Sequence, residues 1–244
     1  MEFWGLTDRG KVRQNNQDVF RTFHDEKRET AFFVVCDGMG GANAGNVASE
    51  LAADTFTEYM TRFIEEAVKP SDASMKLADA VIAANRVVYE KSLSDSEFAG
   101  MGTTLVAVLS SPKGEVVANI GDSRLYHVTK SKVRQITKDH SVVEDMIDRG
   151  DLTRAEARSH PNKNLITRVL GTCKEEEPDV FFLEIYIGDH LLLCSDGLSN
   201  MVSESEILFE LQNSVDVRKS CENLVGLALS RGAPDNVTAI IFKK

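Results

Sequence analysis

Several sequence features that would place this 244-residue chain in other protein classes are missing. No stretch approaches the roughly 18 consecutive apolar residues that a membrane-spanning helix needs. The N-terminus has no basic segment followed by an apolar run, so the sequence predicts no secretory signal peptide. We therefore expect a cytoplasmic protein with no membrane partner.

Cysteine is scarce as well, with four residues in the whole chain. None of them forms a C-x-x-C pair, which argues against a structural zinc site. Cys36 and Cys194 each end an apolar run, as buried free thiols often do. Free thiols fit a reducing compartment, in agreement with the cytoplasm.

Basic residues are outnumbered by acidic ones. The 28 Lys and Arg residues against 38 Asp and Glu residues give a formal net charge of -10. Nucleic acid and anionic membranes are poor partners for such a chain, because both are themselves negative. An acidic excess can mean only solubility or can mean cation binding, and the positions of the aspartates have to decide.

Motifs of several other phosphate-handling and metal-binding proteins are also absent. There is no G-x-x-x-x-G-K-[ST] loop and no EF-hand spacing. No cysteine is followed six positions later by arginine, which excludes the nucleophilic loop of cysteine-dependent phosphatases. The histidines do not form H-E-x-x-H; they are His24, His127, His140, His160 and His190.

Apolar runs predict strands and helices in separate parts of the chain. A buried strand is expected at 30–36, with helices from about Gly45 and from about Ser71. Short apolar runs predict further strands at 104–109, 116–120, 125–128, 133–136, 180–187, 190–194 and 237–242. Neighbouring strands this close in sequence pair antiparallel, because parallel pairs need long crossovers. We expect one domain of the α+β class, built as a layered sandwich.

Four aspartates lie within two residues of a predicted strand end. Asp37 follows the strand at 30–36, Asp122 follows the strand at 116–120, Asp196 follows the strand at 190–194, and Asp235 precedes the last strand. A rigid sheet could aim these carboxylates at one point, and oxygen ligands suit magnesium or manganese. The alternative is that each Asp-Gly pair is an ordinary turn.

Phosphate ester hydrolysis would explain such a cluster. Two cations about 3.5–4 Å apart can lower the pKa of a bound water and position it for attack. An arginine can hold phosphate oxygens through two hydrogen bonds. Glycines after Asp37 would let the backbone come close to the cations.

Eight short motifs along the chain resemble those of one known family, in the same order. They are R-Q-N-N-Q-D (13–18), D-G-M-G-G (37–41), G-M-G-T-T (100–104), N-I-G-D-S-R (119–124), T-K-D-H-S (137–141), I-T-R-V-L-G (166–171), S-D-G (195–197) and D-N-V-T (235–238). Each motif alone is weak, but the ordered set is specific. It resembles the metal-dependent protein phosphatases of type 2C in their compact bacterial form, over nearly the whole chain.

The resemblance implies roles for the residues of the central cation site. Asp37 is expected to bridge two cations, and Gly38 to contribute its carbonyl oxygen. Asp196 and Asp235 are expected to hold the first cation. The ions would be Mn²⁺ or Mg²⁺.

Three further residues receive roles from the same resemblance. Asp18 is expected to support the second cation through water. Asp122, together with Asp196, resembles the pair that holds a third, weaker ion in bacterial members. Arg13 is expected to bind the substrate phosphate, and it completes a catalytic set with Asp37, Asp196 and Asp235.

The resemblance also implies a fold and an activity. The fold would be a four-layer α/β/β/α sandwich with two central antiparallel sheets, forming a single catalytic domain over 1–244 with a flap at about 145–164. The activity would be hydrolysis of phosphoserine and phosphothreonine by a water that two metals activate, opposing a Ser/Thr kinase. The partners would be phosphorylated proteins, and we expect a monomer.

One departure from the family pattern concerns the acid that protonates the leaving group. Bacterial members usually carry histidine directly after D-G-M-G-G, where this chain has Ala42, and eukaryotic-type members often have histidine in place of Met39. Two rival functions stay open. One is a degenerate phosphatase that binds a partner, which the retained Asp37, Asp196 and Asp235 argue against. The other is a phosphatase of small molecules.

Overall fold

Strands and helices in the computed structural model follow the segregated pattern that the sequence predicts. The structure describes residues 1–40, 44–65, 72–157 and 159–244. The strands are β1 (Glu2–Asp8), β2 (Asp18–Asp25), β3 (Thr30–Met39), β4 (Gly102–Thr103), β5 (Leu105–Ser111), β6 (Gly114–Ile120), β7 (Arg124–Val128), β8 (Val133–Gln135), β9 (Asp179–Leu183), β10 (His190–Cys194) and β11 (Val237–Lys243). The helices are α1 (Ala44–Glu65), α2 (Ala73–Ser92), α3 (Val142–Asp148), α4 (Arg154–Ala157), α5 (Asp196–Ser199), α6 (Glu204–Asn213) and α7 (Val217–Ser230).

The strands form two sheets. The first has the order β1-β11-β10-β7-β8, and the second has the order β2-β3-β5-β6-β9 with the short β4 beside β3. Neighbouring strands within both sheets run antiparallel, as the short connections predict. Because of this alternation, the end of β3, the start of β2, the β6–β7 turn, the end of β10 and the start of β11 lie at the same end of the molecule.

The second sheet buries both of its faces. Side chains alternate between the two faces of a strand, so neighbours in β3 face different layers. Phe32 and Val34 pack against α1 and α2. Phe33 and Val35 face the first sheet, where the rings of Phe33 and Phe242 stack with centroids 5.2 Å apart. The apolar run at 30–36 therefore reflects a central strand that has no solvent face.

The first sheet repeats this arrangement. Leu192 and Cys194 of β10 pack with Leu224 on the helix side, and Leu191 and Leu193 fill the space between the sheets. Each large apolar side chain buried in this way contributes about 1.5–3 kcal/mol. The order of layers is helices, sheet, sheet, helices, which confirms the expected four-layer α/β/β/α sandwich.

The elements differ in detail from those predicted by the apolar runs. At the start of α6, Glu206 accepts a hydrogen bond from the backbone N–H of Ser203 at 2.9 Å, which is part of a capping box. The strand expected at 180–187 ends at Leu183, and Tyr186 and Ile187 are exposed. Strands β1 and β2 were not expected from apolar runs, because most of their residues are only partly buried. No helix in the described part of the chain is long and apolar enough to cross a membrane.

Candidate active site

Asp18 and Asp37 lie opposite each other on neighbouring strands. Asp18 is the first residue of β2 and pairs in register with Asp37 near the end of β3. Asp18 is buried and accepts hydrogen bonds from the hydroxyls of Ser195 and Thr238, each at 2.7 Å. Those hydroxyls come from the first sheet, so one carboxylate oxygen of Asp18 joins the two sheets. Its other oxygen, Oδ1, is buried without a partner.

The backbone of Asp37 and Gly38 is held from three sides. The Asp37 carbonyl accepts from the Thr103 hydroxyl and from the Thr104 N–H, both at 2.9 Å. The Asp37 N–H donates to the Thr104 hydroxyl at 3.0 Å. A Cβ at Gly38 would come within 2.1 Å of a backbone oxygen of α1, so only glycine fits there. The two threonines thus support the site without contributing ligand atoms.

Asp196 and Asp235 approach from the first sheet. Asp196 opens α5, and one of its oxygens accepts from Asn200 at 3.1 Å. Asp235 precedes β11, and its Oδ2 accepts from the guanidinium of Arg13 at 2.7 Å. Arg13 is about half exposed in this contact. The structure therefore places the predicted phosphate-binding arginine directly against a predicted cation ligand.

Asn236 fixes the segment that carries Arg13. Its Oδ1 accepts from the N–H of Gln17 at 2.8 Å, and its Nδ2 donates to the carbonyls of Arg9 and Asn15 at 2.8 and 2.9 Å. These bonds fold residues 9–17 over the start of β11. The sequence indicates Asn236 only as a structural support, and its three backbone contacts explain that role.

Asp122 lies in the turn between β6 and β7. It is 9% exposed, and its Oδ1 has no hydrogen-bond partner. The residue before it, Gly121, has φ +103°, and a Cβ there would meet Thr104 at 2.5 Å. His140 exchanges two hydrogen bonds with Gly121: its N–H donates to the Gly121 carbonyl at 2.9 Å, and its Nδ1 accepts from the Gly121 N–H at 3.0 Å.

The site is rich in carboxyl groups, and burial disfavours their ionised forms. Burial is the largest cause that raises the pKa of Asp18 to about 7, of Asp122 to about 7 and of Asp196 to about 6. Burial also raises the pKa of Asp37 well above its ordinary value, and the negative charges of Asp18 and Asp196 add to the effect. A cation among these carboxylates would reverse the shifts, because a nearby positive charge favours the ionised forms.

The donor set fits hard divalent cations. It consists of carboxylate and carbonyl oxygens, two of the carboxylates have a buried oxygen without a partner, and the charges repel one another in the absence of a counter-ion. Within the described ranges, no three His, Cys, Asp or Glu side chains already converge to hold a single ion. The Asp235 carboxylate is engaged by Arg13 instead.

The predicted flap contains α3 and α4 and borders a groove. The Arg154 guanidinium donates to Glu144 at 3.0 and 3.2 Å and ties the two helices together. A groove of about 660 Å³ lies between these helices and the segment 199–206, which follows Asp196. Arg154, Lys163 and Arg231 are among the residues that line it.

The residues relevant to leaving-group protonation are Ala42 and the histidines. Ala42 lies outside the described residues. Nδ1 of His140 accepts from the Gly121 N–H, and its Nε2 lies 3.1 Å from Asp179. Both ring nitrogens are therefore used in the structure of the turn.

Sequence reasoning missed the roles of Ser195, Thr238 and His140. Ser195 directly precedes Asp196 and Thr238 follows Asp235 by three residues, whereas the motif of His140 contains no predicted ligand. The signal that all three share is their place inside the recognised motifs. The contacts themselves join residues 19, 177 and 220 positions apart.

The chain is similar to several known proteins over nearly its whole length. The family described as protein phosphatase 2C matches residues 8–227. The serine/threonine phosphatase stp of Listeria monocytogenes is 35% identical over 245 residues, covering 98% of this chain and 94% of that protein. The solved structure of the serine/threonine phosphatase Stp1 from Staphylococcus aureus superposes with a TM-score of 0.90 at 37% identity, covering 100% of this chain and 94% of that one. The catalytic domain of the phosphatase PstP, solved with two manganese ions, gives a TM-score of 0.84 at 36% identity and covers 98% and 96% of the two chains.

Proposed function

Since this chain belongs to the protein phosphatase 2C family and is a protein serine/threonine phosphatase, we propose that it hydrolyses phosphoserine and phosphothreonine with a water activated by two divalent cations. The observation that supports this mechanism is the set of buried carboxylates with raised pKa values at one edge of the sandwich. Ionising such carboxylates is unfavourable without cations, and their oxygens are the ligands that hard divalent cations prefer.

Each carboxylate has an assigned place in the proposal. Asp37 would be shared by the two ions, and the Gly38 carbonyl would be a further ligand. Asp196 and Asp235 would hold the first ion, and Asp122, together with Asp196, would hold a third, weaker one. Asp18, whose free Oδ1 is buried beside Asp37, would support the second ion through water. Mn²⁺ is the ion in the PstP structure, and we propose that Mg²⁺ also serves here.

When bound, the ions supply an activated water and neutralise developing charge on the phosphoryl group. The protein contributes positioning. Thr103 and Thr104 fix the Asp37 peptide, and Asn236 fixes the segment that presents Arg13. Arg13 binds the phosphate oxygens through its planar guanidinium.

Arg13 and Asp235 must exchange partners for this arrangement to operate. In the structure, the Arg13 guanidinium donates to the Oδ2 of Asp235 at 2.7 Å. Asp235 could not hold a cation and pair with Arg13 through the same oxygen, so use of that oxygen as a cation ligand would leave the Arg13 guanidinium available for phosphate. Cation binding and phosphate binding therefore favour each other at this pair.

The groove beside the flap accounts for protein substrates. Its volume of about 660 Å³ is within the range of known binding sites, and it is lined in part by Asn200, which donates to Asp196. We propose that residues flanking the phosphoserine occupy it. The whole chain then acts as a single catalytic domain, with the segment at about 145–164 as its flap.

Three wider properties complete the proposal. The activity opposes a Ser/Thr kinase, since phosphorylated proteins need an enzyme that forms them. The enzyme acts as a monomer. The buried free thiols Cys36, Cys194 and Cys221 support a reducing cytoplasmic location.

The experiment that tests this function is a manganese-dependent assay. Metal-stripped protein is offered phosphoserine and phosphothreonine peptides with and without Mn²⁺, and Asp37→Asn serves as the control. We expect turnover only with Mn²⁺ and only in the native sequence. Equal turnover by Asp37→Asn would reject the bridging role. Hydrolysis of small phosphate esters without peptide turnover would favour the small-molecule alternative.

A further inference from the structure

One histidine holds the turn that carries Asp122. His140 is 8% exposed and bonds to both polar backbone groups of Gly121, at 3.0 Å through Nδ1 and at 2.9 Å through its own N–H. Gly121 itself has φ +103°, a backbone conformation that few other residue types adopt. His140 therefore holds the backbone directly before Asp122, and the Oδ1 of Asp122 has no hydrogen-bond partner.

The ring of His140 is held in one orientation by its other nitrogen. Because Nδ1 accepts the Gly121 N–H, the neutral ring carries its proton on Nε2. Nε2 lies 3.1 Å from the Oδ2 of Asp179 and donates to it. Arg168 lies beside them. Its Nη1 donates to the Oδ1 of Asp179 at 2.9 Å and also lies 2.9 Å from Nε2. The Asp179 carboxylate therefore aims the Nδ1 lone pair of His140 at Gly121.

The same residue anchors the base of the flap. The His140 carbonyl accepts from the N–H of Thr167 at 2.8 Å, and Ser141 forms a bridge with Ile166. Ser141 then caps the first turn of α3. The turn of Asp122 and both ends of the flap are consequently joined at His140.

We propose that His140 is a positioning residue for the phosphatase reaction: it fixes Asp122 through the Gly121 peptide and so sets the weaker cation site. This inference rests on the role of Asp122 as a cation ligand in the proposed function. His140 touches neither substrate nor cation in this scheme. Its effect passes entirely through two hydrogen bonds to Gly121.

Two substitutions test the hydrogen bonds of the two ring nitrogens separately. In His140→Asn, the amide oxygen replaces Nδ1 as acceptor for Gly121, and the contact with Asp179 is lost. In His140→Gln, the longer amide reaches Asp179 and no acceptor remains for the Gly121 N–H. Both variants replace the ring by a polar amide, so each controls for the loss of packing in the other.

Three measurements compare the variants with the native protein, in metal-free and Mn²⁺-loaded form. Hydrogen exchange reports the Gly121 N–H, calorimetric titration with Mn²⁺ counts the sites and their affinities, and thermal unfolding reports overall stability. Asp122→Asn is the reference for a lost weak site. We expect His140→Gln to exchange the Gly121 N–H about two- to tenfold faster than His140→Asn. We also expect His140→Gln to lose the weakest Mn²⁺ isotherm as Asp122→Asn does, while His140→Asn keeps it.

Other outcomes overturn the inference. If His140→Gln retains slow exchange at Gly121 and the full Mn²⁺ isotherm, Nδ1 does not position the turn. If both variants lose thermal stability and the weakest Mn²⁺ isotherm to the same extent, His140 contributes only packing. An Asp122→Asn titration identical to that of the native protein would remove Asp122 from the proposed cation set. The exchange rates of the two His140 variants would still decide whether Nδ1 holds the turn.

Discussion

Removing the buried charge of Asp122 should stabilise the metal-free protein at alkaline pH. Burial is the largest cause that raises the Asp122 pKa from 3.8 to about 7, and the charges of Asp196 and Asp139 add to it. The folded pKa lies above the unfolded one, so the favourable contribution of the neutral carboxyl is complete below pH 3.8 and is lost as the pH rises through about 7. Asp122→Asn is always neutral and does not incur this loss.

The magnitude follows from the size of the shift. One pKa unit corresponds to about 1.4 kcal/mol, so ionising Asp122 in the folded state costs on the order of 4 kcal/mol at pH 8. The side chain is 9% exposed, so solvent reduces this cost little. We expect Asp122→Asn to unfold with a free energy up to about 4 kcal/mol larger than the native protein at pH 8. At pH 5 the folded carboxyl is mostly neutral but the unfolded one, with a pKa of 3.8, is already ionised, so the difference should fall to about 1.7 kcal/mol.

The assay is urea unfolding in chelator at pH 5 and pH 8, with thermal unfolding as a second probe. A change of 1 kcal/mol corresponds to about 2–4 °C for a protein of this size. Asp151→Asn, at an exposed position of the flap, is the matched control and should leave the unfolding free energy unchanged at both pH values. Saturating Mn²⁺ at pH 8 should stabilise the native protein more than Asp122→Asn. Equal or lower stability of Asp122→Asn at pH 8 in chelator would refute the reasoning, because the ionised carboxylate would then carry no uncompensated cost.

Four further predictions concern the reaction. Chelator should abolish phosphopeptide hydrolysis and Mn²⁺ should restore it, and full activity in chelator would contradict the cation mechanism. Asp196→Asn or Asp235→Asn should abolish turnover while circular dichroism stays unchanged, and a near-normal kcat at ordinary metal concentrations would remove that residue from the ligand set. Arg13→Ala should lower kcat/KM for a phosphopeptide by about 10- to 150-fold, equivalent to about 1.5–3 kcal/mol for a lost charged hydrogen bond, whereas an unchanged value would reject phosphate binding. Ala42→His should raise phosphoserine peptide turnover and leave p-nitrophenyl phosphate nearly unchanged, because general acids contribute about 10²–10⁴-fold and the activated ester needs little protonation. Equal effects of that substitution on both substrates would show that position 42 does not govern leaving-group protonation.

The sequence determined the fold class and the candidate residues of the site. Apolar runs such as 30–36 and 190–194 have no polar alternation, so they predict strands covered on both faces. Aspartates directly after such runs predict oxygen ligands at one end of a sheet, and Asp37, Asp122 and Asp196 do stand at strand ends of that edge. These properties are local, since the side-chain period and the strand end are both fixed within a few residues.

The edge strands of the two sheets could not be predicted in the same way. Strands β1 and β2 have mixed burial, so their sequences carry no clear period, and pairing with β11 and β3 stabilises them. Tertiary contacts override local preference at such positions.

Tertiary structure alone decided how the candidate ligands are held and charged. The Asp18 carboxylate joins hydroxyls 177 and 220 residues away, and Arg13 pairs with Asp235 across 222 residues. The raised pKa values of Asp18 and Asp122 arise because the folded chain excludes water from carboxylates that are far apart in sequence. A hydrogen bond or a desolvated charge depends on distances between distant segments, and no local pattern encodes those distances.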